Sequence, residues 1–179
     1  ARVTYTLVPA EREMTVQDLL RHTSGLAYAN LTQNTPVKEA YAKGGIDDDP
    51  RGLTPAQEIE IFSKSPLVHQ PGTVWEYSLA TDLLGRVVEA ASGKRLADFL
   101  DERLFKPLGM NDTAFWVPGD KLGRLAEALP VDASSGKPNK LYDVTAVPNN
   151  DSGGAGGVST ASDYLRFAQM MANGGQLDG

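Results

Sequence analysis

Apolar positions recur at helical spacing in five stretches of this chain, each bounded by capping or stop residues. The first predicted helix opens at Thr15, whose hydroxyl suits the N-cap, with Asp18 three residues on near the positive helix end. It would bury Leu19 and Leu20 and stop before Gly25. A second opens at Thr54-Pro55, where proline suits the first helical position and Gln57 completes a capping box, with Ile59 and Phe62 inward. The third opens at Ser78 and aligns Leu83, Leu84, Val87, Val88 and Ala91 on one face until Gly93. A fourth follows from Arg95 with Leu96, Phe99, Leu100 and Leu104, ended by Pro107 and Gly109. The last runs from Thr160 with Asp163 as its box partner, Leu165, Ala168 and Met171 inward, and Gly174-Gly175 as its stop.

Strand signals are fewer. Thr113 to Val117 is short, β-branched and aromatic, and Val3 to Val8 alternates. Two extended arms flank Ser134-Ser135-Gly136-Lys137-Pro138, a hairpin turn region placed at 131–140. Residues 29–52 hold Asn, Gly, Pro and three consecutive Asp, and read as an irregular surface excursion. The fold class read from these pieces is mainly α with a few short strands, organised as one helical subdomain over 1–179.

Composition narrows the partners. Apolar residues make up 41% and charged residues 22% of 179, the usage of a globular chain long enough for a real core. Apolar runs never reach the roughly 18 residues of a transmembrane helix, so no membrane span is expected. Seventeen Lys and Arg against twenty-three Asp and Glu leave a net charge of −6. An acidic surface repels a phosphate backbone, which argues against nucleic acid as a partner. Cysteine is absent, which excludes disulfides, thiolate metal sites and cysteine nucleophiles. Two histidines, His22 and His69, cannot build a His-rich zinc site, and neither metal nor cofactor is expected. The chain starts at Ala1 without an initiator Met or a signal-peptide pattern, and ends just after a Gly-Gly stop. Both ends read as those of an interior piece of a longer protein.

Nucleophile motifs are sparse. Thr23-Ser24-Gly25 ends a predicted helix, where a nucleophile elbow must begin one. The only Ser-x-x-Lys match, Ser134 to Lys137, contains Gly136 and precedes Pro138, so the pair belongs to a turn and not to a helix face. The run Gly153-Gly154-Ala155-Gly156-Gly157 lacks a phosphate-loop ending and reads as a close backbone crossing. The histidines read as structural.

Three blocks carry a resemblance. They are Leu19-Leu20-Arg21-His22-Thr23-Ser24-Gly25-Leu26, the run Pro71 to Leu79 (Pro-Gly-Thr-Val-Trp-Glu-Tyr-Ser-Leu) with the helix to Gly93, and Pro107-Leu108-Gly109-Met110. In order and spacing, together with Gly153–Gly157 leading into Ser159–Asp163, they resemble the serine β-lactamase-like hydrolase superfamily. That superfamily includes class C β-lactamases, family VIII carboxylesterases and D-Ala-D-Ala carboxypeptidases. The resemblance implies that the chain is the helical half of a β-lactamase/transpeptidase-like α+β fold. The α/β half of the same protein, with the Ser-x-x-Lys helix and the C-terminal motif strand, would then be its partner.

Tyr77 falls on the family's catalytic tyrosine, which implies proton transfer with the serine and lysine of that other half. The resemblance also implies that Ser78, Leu79 and Tyr28 contact substrate. Where class C β-lactamases carry asparagine this chain has Leu79, which cannot donate a hydrogen bond; within the implied class of small-molecule ester or amide substrates, that favours short-chain carboxylic esters over β-lactams, as in family VIII carboxylesterases. The implied function is a serine acyl hydrolase working through an acyl-enzyme, inactive as this fragment. Two alternatives stay open: a non-catalytic homologue that serves as a binding or interaction module, and a stand-alone helical protein that pairs with a partner chain. The compartment, bacterial cytoplasm or periplasm, is left undecided.

Overall fold

Helices in the computed structural model begin where a side chain takes up a backbone N–H that the helix leaves free. Residues 5–45, 50–139 and 141–178 are described. Helix α1 (Val16–Leu20) and helix α3 (Pro55–Lys64) both carry full capping boxes, Thr15 with Asp18 and Thr54 with Gln57. Helix α4 (Ala80–Ser92) ends at Gly93, whose φ of +68° is the left-handed conformation that glycine adopts without strain. Ser78 supports its start from one residue outside, since Leu79 takes the N-cap position and Ser78 Oγ accepts a 3.4 Å bond from Ala80 N–H. Helix α5 (Leu96–Leu100) runs on into a wider π turn, Asp101–Phe105. Helix α6 (Ala161–Ala172) is capped by Thr160, but Asp163 does not return the bond. Its carboxylate bonds the Asp112 N–H and the Thr113 hydroxyl instead, at 2.7 and 2.8 Å.

The irregular excursion expected at 29–52 contains a ten-residue helix, α2 (Thr35–Gly44), and a 3-10 turn, Pro50–Gly52. Asn34 caps α2, a proline lies in its first turn, and Gly45 closes it at φ +72°, so its end signals were present in the sequence. Burial of Val37 and Tyr41 in the main apolar cluster draws this segment inward. The three consecutive Asp, 47–49, lie outside the described residues.

Two compact units replace the single subdomain expected over 1–179: Ala1–Phe99 with Asn149–Gly156, and Leu100–Pro148 with Gly157–Gly179. The first is built on Leu19, Leu26, Tyr41, Phe62 and Leu79; the second has its own small cluster of Phe105, Leu108 and Met110. Strand pairing among the described residues is confined to two isolated bridges, Ala114 with Val158 and Val131 with Pro138. The predicted strand at 113–117 is thus a single bridge. The predicted one at 3–8 is exposed and unpaired over residues 5–8, and its first two residues lie outside the described ones. At 131–140, Asp132 N–H donates to Lys137 O and Gly136 sits at φ +68°, while Lys140 lies outside the described residues. The fold is therefore helical with almost no strand.

Several faces point otherwise than periodicity implied. Leu20, Ile59, Leu165 and Met171 are each about half exposed or more, and Ala91 and Ala168 are exposed as well. On α4 the most buried positions are Ala80, Asp82, Gly85 and Arg86 rather than the leucines and valines, which are half-buried. Arg86 lies against Glu58 Oε2 at 3.3 Å and Glu89 Oε2 at 3.0 Å, and donates to Asn150 Oδ1 and the Asp151 carbonyl. Buried charge is tolerated only when paired, and here each partner comes from a remote stretch of chain or from the next helical turn.

Candidate functional site

Two stretches in the first unit are laced by backbone bonds. Carbonyls of His22, Thr23 and Gly25 accept from the N–H groups of Glu76, Gly72 and Val68, at 2.9, 2.7 and 2.9 Å. The approach is close enough that a β-carbon on Gly25, which sits at φ +85°, would collide with the His69 carbonyl. Beneath this lacing, Asp18 ties α1 to its own exit. Its carboxylate accepts two bonds from Arg12 at 2.7 and 2.9 Å, and others from Thr15 and the Thr23 hydroxyl. Those bonds, Arg12's first, hold the Asp18 carboxyl well below the ordinary carboxylate range.

On this frame the structure brings Tyr77, Tyr28 and His22 together. Tyr77 is 49% exposed, with the His22 ring 5.0 Å and the Tyr28 ring 5.2 Å from its own, both tilted. The Trp75 ring lies 6.3 Å from that of His22, edge-on. Both Ser78 and Leu79 are buried, Ser78 completely, in the turn that carries Tyr77. His22 is the residue that the sequence reading left out of the site. Its Nδ1 lies 3.3 Å from Ser78 Oγ. The available signal was a histidine where a helix exit would ordinarily place glycine. His69 Nε2 is 3.6 Å from Glu76 Oε2, a pair that is ionic only when the ring is protonated.

A cavity of about 210 Å³ in the second unit is walled by Trp116, Val117, Leu125 and Val158. Its carboxylate, Asp112, is already clamped by Arg124 and Lys121, which hold it well below the ordinary range. The glycine run crosses α4 closely: a β-carbon on Gly153 would strike the Thr81 carbonyl, and one on Gly154 the Asp82 carboxylate. Among the described residues there is no cluster of His, Asp and Glu placed to hold a metal ion, and no helix long and apolar enough to cross a membrane.

Comparison with known proteins gives a consistent picture. The family model described as Beta-lactamase matches residues 1–179. An uncharacterised protein of Mycobacterium tuberculosis is 37% identical over 176 residues, covering 96% of this chain and 42% of that protein. Esterase EstB of Burkholderia gladioli is 34% identical over 190 residues, covering 94% of this chain and 47% of EstB. Among solved structures, EstCE1, a hydrolase with promiscuous acyltransferase activity, superposes with a TM-score of 0.73 at 28% identity, over 92% of this chain and 47% of EstCE1. The chain thus spans less than half the length of these relatives.

Proposed function

Because this chain belongs to the beta-lactamase family along its full length, we propose that the protein is a serine acyl hydrolase of the carboxylesterase kind, working through an acyl-enzyme. The observation that carries this reading is Tyr77, half-exposed and packed against the rings of His22 and Tyr28 on a firmly laced turn. In this reading the family's serine attacks an ester or amide carbonyl, the family's lysine and Tyr77 pass the serine proton to the alcohol or amine that departs as the C–O or C–N bond breaks, and water then releases the acyl group as a carboxylic acid. A phenol becomes a competent base only beside a cation, so Tyr77 depends on that lysine.

An ester substrate is favoured over a β-lactam. Leu79 is buried and apolar where a class C β-lactamase offers an amide, and the similar EstB is named an esterase. The 179-residue chain by itself is proposed to be inactive. Its Ser-x-x-Lys match is a turn, in which Asp132 accepts bonds from the N–H and hydroxyl of Ser134 while Gly136 sits at φ +68°.

The test uses the longest reading frame that encodes this chain, assayed on an aryl ester and a chromogenic cephalosporin. Faster ester turnover, with kcat lowered about 100-fold or more by Tyr77→Phe, is the expected result. Full activity in Tyr77→Phe would remove the assigned role. Faster cephalosporin cleavage would reverse the substrate preference, and no turnover of either compound would leave a binding module.

A further inference from the structure

We infer that His22 is the positioning residue for Tyr77: it clamps the residues on either side of Tyr77 and packs its ring against the phenol. The inference rests on the proton-transfer role proposed for Tyr77.

The clamp has two jaws. The His22 carbonyl accepts the Glu76 N–H at 2.9 Å, and the His22 side chain meets the Ser78 hydroxyl at 3.3 Å. Tyr77 lies between those two anchor points, with its ring 5.0 Å from the imidazole at a 49° tilt. One residue therefore holds the backbone before Tyr77 and the side chain of the residue after it, and limits where its ring can swing.

The backbone of His22 points the same way. Its φ of +54° lies in the left-handed region, where a β-carbon is strained, and among the described residues only Asp178 is another non-glycine there. At the comparable exits of α2 and α4 the chain uses Gly45 and Gly93. Histidine at the exit of α1 is thus the strained choice, and strain held in place by surrounding bonds marks a side chain that is used.

Ser78 Oγ also accepts the Ala80 N–H at 3.4 Å, which leaves the hydroxyl its proton and one further lone pair for the bond to His22 Nδ1.

The test joins kinetics to spectroscopy in the longest reading frame. The variants are His22→Gly, which relaxes the backbone and removes the ring, His22→Asn, which tolerates positive φ and keeps a polar group, and Ser78→Ala. In His22→Gly, kcat on an aryl ester is expected to fall about ten- to a hundredfold with KM within about twofold. His22→Asn should recover part of that loss. The His22→Gly/Ser78→Ala double variant should be no worse than the poorer single one, because both cut the same link.

In NMR spectra the His22 ring nitrogen signals should shift in Ser78→Ala, and the Tyr77 ring signals, assigned through Tyr77→Phe, should move in His22→Gly. Unmoved Tyr77 signals, His22 ring nitrogen signals that Ser78→Ala leaves unchanged, or unchanged kcat in His22→Gly while Tyr77→Phe is inactive would each overturn the inference. If Tyr77→Phe stays fully active while its signals still follow His22, the proposed role of Tyr77 falls and the clamp stands.

Discussion

The Arg95 guanidinium grips both carboxylate oxygens of Asp151, Nε at 2.7 Å from Oδ2 and Nη2 at 2.6 Å from Oδ1. The Asp151 side chain is fully buried and also accepts the Ala97 N–H at 2.9 Å. Beside it, Asn150 donates to Glu58 Oε2 at 2.9 Å and accepts from Arg86. Together these bonds staple the returning segment, residues 149–156, to α3, α4 and the start of α5 in the first unit.

Lysine cannot reproduce a two-pronged grip. Arg95→Lys is expected to cost about 1–2 kcal/mol, the worth of a charged hydrogen bond. Arg95→Ala, which strands a buried carboxylate, should cost about 3 kcal/mol or more. Urea unfolding of the two variants checks this; an Arg95→Lys variant as stable as the parent chain would mean that the fork adds nothing over a point charge.

Arg86 governs a second buried charge. Burial pushes the Glu58 carboxyl above its ordinary value, while the Asn150 bond and the Arg86 charge pull it back. Arg86→Ala should destabilise by about 3–5 kcal/mol. The loss should be smaller at pH 5 than at pH 8, because a carboxyl raised in the folded state opposes folding once it must ionise. Denaturation at both pH values measures the difference, and Glu58→Gln should abolish its pH dependence.

Asp18 has the opposite sign. Its carboxyl is depressed in the folded state by Arg12, Thr15 and Thr23, so its contribution is complete above the ordinary value of 3.8 and fades as acid titrates the folded form. Asp18→Asn is expected to be less stable than the parent chain at pH 7, and the two should converge as pH falls below about 4. A gap that persists at low pH would assign the loss to packing.

Gly25 faces a steric limit. Gly25→Ala adds a β-carbon against the His69 carbonyl at a φ of +85°, for an expected loss of roughly 2 kcal/mol. Thermal unfolding reads it directly, and Gly93→Ala, at φ +68° with open space around it, is the control for conformation alone.

Tyr164, Leu165, Ala168 and Met171 form an exposed apolar stripe on α6. Leu165→Lys with Met171→Lys should change stability by no more than about 0.5 kcal/mol per site while lowering hydrophobic-dye binding and self-association. A large loss of stability would show that the stripe is packed in solution.

The amino-acid sequence by itself determined the helix ends. Thr15 with Asp18, Thr54 with Gln57, and Gly93 settle their bonds within four residues of one another, so local pattern suffices. Even α2 had its cap and stop in view, hidden by a loop-like composition. The block around Tyr77 was legible as a family likeness; the contacts that hold it were not. Periodicity names an apolar face without saying what covers it, which is why Leu20, Ile59 and Leu165 point outward.

Only the tertiary structure decided that Asp82 and Arg86 turn inward, and that His22 reaches across to Tyr77 and Ser78. The cost of burying a charge, like the freedom of a ring, is set by partners that the folded chain brings in from far along the sequence.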